Sequence, residues 1–243
     1  MKNILLNLIR ALFICLPPRA QARIIALRAS NSRALLGKGS YVHRSVQILG
    51  RAHVRIGANS VLSQDCWLNV NHRIDDALAI EIGDHSFIGR RNFFSSGRYI
   101  GIGNYVLTAN DCHFLGSSHI VDDPLRPCIA TGTTNSDVIS IGHNTFIGAG
   151  ARVIGNVTIG HGCVISACAL VTHDIPPFSQ ATGFPATVRR RYSFPRRTWV
   201  LISEFCEEDE RAVPDSEKYL SLLRNHEAPM MPYLAVGSDM GQY

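Results

Sequence analysis

Aliphatic residues recur at every sixth position along most of the chain. The longest run begins at Ile141 and continues through Ile147, Val153, Ile159, Ile165 and Val171. Shorter runs precede it, starting at Val42, Ile56, Ile82 and Ile102. A period of six is neither the 3.6-residue period of a helix nor the two-residue period of a strand. A short strand followed by a corner produces it, provided that each strand sends one aliphatic side chain inward.

This period predicts a solenoid whose stacked coils bury one continuous apolar core. Successive upstream runs are offset by two residues, which indicates that one corner of each coil is slightly longer. Glycine often follows the inward residue, as at Gly83 and Gly142, which predicts tight corners with positive φ. A β-sandwich has regularly spaced strands but does not predict a strict six-residue register. The sequence therefore predicts an all-β fold, a parallel β-helix with short helical appendages.

Breaks in the period divide the chain. The solenoid is predicted over residues 38–190, with a loop insertion over 121–140, between Ile120 and Ile141. The polar stretch Asn71–Ala79 is a second candidate loop. Residues 1–37 are predicted to form an N-terminal amphipathic helical segment. Residues 191–243 form a C-terminal tail with one helix predicted from Asp215 to Arg224.

Composition narrows the class of protein. Of 243 residues, 46% are hydrophobic and 18% are charged, which is ordinary for a globular chain. The net charge of +5 is concentrated in Arg189, Arg190, Arg191, Arg196 and Arg197, a local anion site or a solvated tail rather than a nucleic-acid surface. The seven cysteines include no CxxC pair, which favours reduced thiols in a cytoplasmic protein over a disulfide framework or a zinc ribbon.

The apolar N-terminal stretch raises the question of a membrane. Residues 3–16 are too short to span a bilayer and are followed by Pro17 and Pro18. Two possibilities remain open, a helical cap packed on the solenoid and a peripheral contact with the inner face of the membrane.

Residues 141–167 (IGHNTFIGAGARVIGNVTIGHGCVISA), 170–176 (LVTHDIP) and 183–186 (GFPA) resemble the C-terminal part of the hexapeptide-repeat acyltransferases. The resemblance covers about residues 40–192. It is strongest to sugar O-acetyltransferases of the maltose and galactoside type and of the colanic acid type. It implies a left-handed β-helix, a homotrimer, and acetyl-CoA bound between adjacent subunits. It also implies a saccharide acceptor in surface or exopolysaccharide biosynthesis.

Acetyl transfer to a hydroxyl needs a base, and histidine suits that role near neutral pH. His119 lies where the period is interrupted, followed by a loop that contains Asp and Pro, as in the related enzymes. We therefore expect His119 to be the general base, with His113 as its rival. For the acceptor site the resemblance indicates Asn92, Ser95 and Ser96, for which plain corner residues are the alternative. Asp122, Asp123 and His113 are further candidates for binding the acceptor, and simple polar loop residues are the alternative for the two aspartates.

For acetyl-CoA the resemblance indicates small residues along which a pantetheine arm can lie, together with cations for its phosphates. The residues concerned are Gly148, Ala149, Ala167, Thr172, His173, Arg189 and Arg190. His173 stands where the family usually has lysine, so Arg189 and Arg190 are expected to contact the phosphates.

Other activities remain open on the same fold. The acceptor could be the nitrogen of a nucleotide-linked amino sugar. A γ-type carbonic anhydrase would place three histidines on zinc, two of them five residues apart, whereas His113 and His119 are six apart; we therefore expect no metal. A non-catalytic scaffold would bind no acetyl-CoA.

Overall fold

The computed structural model describes Pro17 and residues 35–73 and 76–226. Most of the predicted N-terminal amphipathic segment, with its possible membrane contact, lies outside these residues. So do Ile74 and the end of the C-terminal tail.

Short strands follow one another from Leu35 to Val171. They are β1 (Leu35–Leu36), β2 (Tyr41–Val42), β3 (Gln47–Leu49), β4 (Val54–Ile56), β5 (Val61–Leu62), β6 (Trp67–Val70), β7 (Ile80–Ile82), β8 (Phe87–Ile88), β9 (Phe93–Ser96), β10 (Tyr99–Ile102), β11 (Leu107–Thr108), β12 (His113–Leu115), β13 (Val138–Ile141), β14 (Phe146–Ile147), β15 (Arg152–Ile154), β16 (Val157–Ile159), β17 (Val164–Ile165) and β18 (Leu170–Val171).

Every third strand pairs in parallel, which gives a prism with three sheets. Sheet 1 has the order β1-β4-β7-β10-β13-β16, sheet 2 begins β2-β5-β8-β11-β14-β17, and sheet 3 is β3-β6-β9-β12-β15-β18. All six aliphatic residues of the long run that starts at Ile141 are buried. Because its members alternate among the three sheets, the predicted six-residue register and the β-helix are confirmed.

The predicted longer corner is the one between sheets 3 and 1. Phe94 precedes its sheet 1 neighbour Ile100 by six residues, whereas Val153 precedes Val157 by only four. Early coils therefore contain twenty residues and a later coil eighteen, which explains the two-residue offsets.

Two loop excursions leave the coil at this same corner. The first, residues 71–79, connects β6 to β7. The second, residues 116–137, connects β12 to β13 and includes a short 3-10 helix, Cys128–Ala130. It starts earlier than the predicted insertion, and Ile120, which continued one of the runs, is 39% exposed within it. A further 3-10 helix, Arg51–His53, lies at the corner in an earlier coil.

Glycines after the inward residue serve a different purpose from the one predicted. Gly142 is not in the left-handed region, yet a Cβ on it would lie 2.3 Å from the backbone nitrogen of His161 in the next coil. A Cβ on Gly83 would likewise lie 2.7 Å from the backbone nitrogen of Asn104. Positive φ is found two residues later instead, at Asn144 and His85. The prediction of positive φ at Gly83 and Gly142 was therefore wrong, because close stacking of coils is what requires glycine there.

A ladder of side chains joins the coils at the corner between sheets 1 and 2. The backbone N–H of Ala58 donates to Asp84 Oδ1 at 2.7 Å, and that of Asp84 donates to Asn104 Oδ1 at 2.8 Å. The N–H of Asn104 then donates to His143 Nδ1 at 2.9 Å. His143 must therefore be unprotonated at Nδ1, and burial, followed by the charges of His161 and Arg224, lowers its pKa.

The C-terminal residues pack on the end of the prism. β19 (Ser179–Gly183) extends sheet 2, and β20 (Ala186–Ser193) and β21 (Thr198–Leu201) continue it as antiparallel strands. A 3-10 helix (Ile202–Glu204), α1 (Glu207–Arg211) and α2 (Ser216–Leu223) follow. The helix expected from Asp215 is confirmed, and the Asp215 side chain caps it by accepting from Lys218 N–H.

Two arginines of the basic cluster are not solvated. Arg191 is buried and pairs with Glu210, and Arg196 pairs with Asp209. The N–H of Cys206 and the hydroxyl of Ser193 also donate to Asp209, which lowers the pKa of that carboxyl. These contacts fix the start of the predicted tail against β20.

Replacing Gly142 with Ala should destabilise the fold by about 1–3 kcal/mol, because the added methyl overlaps the backbone of the next coil. Urea denaturation of Gly142→Ala measures this loss. Gly132→Ala is the matched control, because a Cβ there meets only Ile120 Cδ1 at 3.7 Å; its free energy of unfolding should change by less than about 0.5 kcal/mol. Equal stability of the two variants would contradict the stacking argument.

Replacing His143 with Asn should reduce the loss in the free energy of unfolding at acidic pH. The unfolded state takes up the proton at a higher pH than the folded state, so wild-type stability should fall as pH drops below about 6.5. An Asn side chain offers an Oδ1 acceptor, as Asn104 does for Asp84 in the preceding coil, but it does not titrate. Protonation removes a partly buried hydrogen bond, a loss on the order of 1 kcal/mol. Urea denaturation at pH 7.5 and 5.5 should show a smaller loss in His143→Asn; parallel losses would exclude this role.

Candidate active site at one corner of the prism

The second excursion begins as a short two-stranded stem that carries His119. The N–H of Thr134 donates to the Ser118 carbonyl at 2.8 Å, and the N–H of Ile120 donates to the Gly132 carbonyl at 2.9 Å. His119 lies between them, opposite Thr133, and its side chain is exposed. The predicted base is therefore held by backbone pairing and open to solvent.

His72, in the first excursion, contacts this stem and was not predicted as a site residue. Its Nε2 lies 3.1 Å from the Thr134 carbonyl oxygen and 3.1 Å from Thr133 Oγ1. Asn71 beside it donates to Ser95 Oγ at 3.0 Å and to the Ser96 carbonyl at 2.9 Å. The two excursions are thus joined to each other and to sheet 3.

A cleft of about 690 Å³ opens between the two excursions. Both excursions and the corner between them form its walls, which consist of His72, Ala77, Leu78, Gly97, Arg98, Tyr99, Asn135 and Ser136. Amide, hydroxyl, imidazole and guanidinium groups all occur in this lining. Such a mixture suits a ligand rich in hydroxyl groups.

His113, the rival base, occupies a different position. It lies on the outer face of sheet 3, and its ring meets Phe93 edge-on at a centroid distance of 6.1 Å. Burial, and then the charge of Arg152, lowers its pKa. His113 belongs to the regular coil, whereas His119 belongs to the excursion.

Asn92 and Ser96 do not reach the surface. Asn92 is 1% exposed; its Nδ2 donates to Thr108 Oγ1 at 2.6 Å, and its Oδ1 accepts the N–H of Cys112 at 2.5 Å. Ser96 is fully buried beneath Asn71. Both side chains satisfy polar groups within the coils, so this structure does not support their predicted contact with the acceptor, which stays a prediction.

The remaining predicted acceptor residues differ in their exposure to solvent and in their hydrogen bonds. Ser95 is 9% exposed and accepts from Asn71. Asp122 and Asp123 are exposed in the second excursion, and Asp123 Oδ1 accepts the N–H of Leu125 at 3.0 Å. Asp123 therefore stabilises a turn, and Asp122 is left facing solvent.

The residues predicted for acetyl-CoA fall on two corners. Gly148, Ala149 and Ala167 stack at the corner between sheets 2 and 3, where a Cβ on Gly148 would lie 2.4 Å from Ala167 N. Thr172 and His173 are exposed at the corner between sheets 3 and 1, on the same edge of the prism as the excursions. Within one chain, the width of sheet 3 separates the two groups.

Arg189 and Arg190 are exposed on β20. Arg190 lies opposite Gln180 in the strand register. Neither arginine forms an ion pair with a described residue, in contrast to Arg191 and Arg196. Both guanidinium groups can therefore accept an anionic ligand.

Two kinds of feature are absent from the described residues. Within Pro17 and residues 35–73 and 76–226, no helix is long and apolar enough to cross a membrane. The same residues contain no group of three His, Cys, Asp or Glu side chains that could hold a metal ion.

Comparison with known proteins adds the relatives of this chain. The family described as bacterial transferase hexapeptide (six repeats) matches residues 139–173. A probable acetyltransferase of Mycobacterium tuberculosis is 32% identical over 156 residues, which cover 63% of this chain and 48% of the relative. The chain spans about half the length of the curated relatives it matches.

A solved structure shares the fold. It is a mutant of AntD, an N-acyltransferase from Bacillus cereus, in complex with dTDP and coenzyme A. The TM-score is 0.55 at 16% identity, covering 71% of this chain and 88% of AntD. The fold is a left-handed parallel β-helix, as the sequence resemblance implied. The repeat at residues 139–173 and the confirmed six-residue register agree with the resemblance to the hexapeptide-repeat acyltransferases.

Proposed function

We propose that the protein transfers an acetyl group from acetyl-CoA to a hydroxyl of a saccharide, in the biosynthesis of a surface or exopolysaccharide. The observation that carries this proposal is the position of His119, exposed on a backbone-paired stem where the coil is interrupted. Loops held on a rigid scaffold are common sites of catalytic groups. The cleft between the two excursions is lined by hydroxyl, amide and cationic groups, which supports a saccharide acceptor; His119 is not one of its lining residues.

In the proposed reaction, His119 accepts the proton of the sugar hydroxyl as its oxygen attacks the thioester carbonyl. A carbon–oxygen bond forms, and the carbon–sulfur bond breaks. The coenzyme A thiolate leaves and takes up a proton, which the imidazolium of His119 can return. Asp122, Asp123 and Ser95 remain candidates for holding the acceptor.

Acetyl-CoA is proposed to bind where two copies of the chain meet. The small residues Ala149 and Ala167 lie on one corner, whereas Thr172 and His173 share the other corner with the excursions. A cyclic trimer brings different faces of neighbouring copies together, so it can place one corner of each type in a single cleft. Arg189 and Arg190 are available for the phosphates.

The outer faces of the prism support a homotrimer. Sheet 2 presents Phe87, Leu107, Phe146 and Val164 in one outward row, with Leu107 37% and Phe146 39% exposed. Sheet 3 presents Trp67 and Phe93, whose rings lie 4.9 Å apart. Exposed apolar rows of this kind are typical of surfaces that other protein covers.

Replacing His119 with Ala should reduce turnover at least a hundredfold, because the base is lost. Acetyl-CoA affinity, measured by calorimetry, should stay within about threefold. His113→Gln is the matched control and should retain most of the activity. Rates should be measured with acetyl-CoA and a panel of free sugars, nucleotide sugars (including amino sugars) and lipid-linked oligosaccharides. Near-normal turnover of His119→Ala would reject the assignment, and a preference for amino sugars would establish N-acetylation.

Replacing Phe146 with Glu should dissociate the trimer, because a charge would be buried in the interface. Light scattering after size exclusion should shift from the mass of three chains towards one, and acetyl-CoA affinity should fall at least tenfold. Ser140→Glu is the control on the polar outer face of sheet 1, where its strand neighbours are Gly101 and Thr158. A monomeric wild type, or a trimeric Phe146→Glu protein with normal affinity, would contradict the proposed assembly.

A further inference from the structure

The stem that carries His119 is too short to be rigid alone. Four backbone or side-chain hydrogen bonds join its two sides, including Ser118 N–H to Thr134 Oγ1 at 3.0 Å and Ser117 Oγ to the Thr134 carbonyl at 2.9 Å. An isolated two-stranded hairpin is marginally stable in water. Its position therefore depends on what braces it from outside.

His72 supplies such a brace from the first excursion. The Thr134 carbonyl can only accept, so its 3.1 Å contact with His72 Nε2 requires a proton on that nitrogen. The Thr133 hydroxyl lies at the same distance from Nε2. Thr133 is the residue opposite His119 in the stem. The ring of His72 thus contacts the stem at Thr133, the residue directly opposite the proposed base.

The brace is itself anchored in the coil. Asn71, the residue before His72, is hydrogen-bonded through its side chain to Ser95 and to the buried Ser96. On the other flank of the excursion, His53 Nδ1 lies 2.9 Å from the Ala77 carbonyl. A continuous series of contacts therefore leads from sheet 3 through Asn71 and His72 to the stem.

We propose that His72 is a positioning residue that holds His119 in its reactive orientation, an inference that rests on the proposed role of His119 as the base. The hydrogen bond to the Thr134 carbonyl needs only an N–H at Nε2 of His72. The neutral ring in this tautomer carries that N–H, and so does the protonated ring. His72 therefore aligns the base without taking part in the proton transfer. A misplacement of about 1 Å can cost as much as a hundredfold in rate.

The test compares three variants of the full chain. His72→Ala removes the brace, and His72→Gln keeps a side-chain N–H donor. His43→Ala removes a histidine whose ring, among the described residues, contacts Ser45 and Tyr41 in the first coil. In His72→Ala, kcat should fall about ten- to a hundredfold, while KM for acetyl-CoA and the pH dependence of kcat/KM stay as in the wild type. His72→Gln should recover most of the loss, and His43→Ala should match the wild type.

Hydrogen exchange provides a readout that does not depend on activity. The amides of Ile120 and Thr134, which close the stem, should exchange at least tenfold faster in His72→Ala than in His43→Ala. Unchanged protection would overturn the proposal. Loss of the basic ionisation from the pH profile of His72→Ala would also overturn it, because His72 would then be the base. If the wild type shows no acetyl transfer, the proposed function fails, and the exchange experiment still decides whether His72 braces the stem.

Discussion

Each coil of this prism can be buried only by the coils above and below it, and the rest of the structure depends on how closely they stack. Parallel pairing brings successive backbones together, and Phe94 and Phe114 stack inside at a centroid distance of 4.7 Å. At the corner after sheet 1 the approach is so close that Gly142 has no room for a Cβ. The stacking must therefore be regular on all three sides, and irregular chain can leave only at a corner.

The corner between sheets 3 and 1 is where the chain departs from regularity. It already has two more residues in early coils, and both excursions start there. Because they leave from nearby coils on one edge, they lie side by side and can contact each other, as His72 and Thr133 do. Two insertions that are separate in sequence thus create one cleft, whose walls need no change in the coils beneath.

The sequence predicted the parts of this structure that repeat. The six-residue register identified the inward residues, the two-residue offsets identified a longer corner, and the gap before Ile141 identified the excursion. Side-chain contacts between neighbouring coils do not follow from the six-residue register. Whether Asn92 faces an acceptor or the interior depends on Thr108 and Cys112, which lie in the next coil. The contact of His72 with a stem about sixty residues later likewise depends on how two irregular loops fold back.

The three corners also differ in chemistry, and this difference bears on assembly. The corner between sheets 1 and 2 carries the Asp84–Asn104–His143 ladder and a contact with α2, in which Asn144 donates to Tyr219 at 2.5 Å. A cleft of about 640 Å³ follows this corner, but none of the residues expected to bind acetyl-CoA lies on it. The corner between sheets 2 and 3 offers small, exposed residues, and the corner between sheets 3 and 1 offers the proposed base. A thioester lying along the corner between sheets 2 and 3 cannot reach His119 of its own chain without crossing the outer face of sheet 3. Transfer between the two corners is shorter if they belong to neighbouring copies, so the division of the proposed acetyl-CoA residues within one chain favours the proposed trimer.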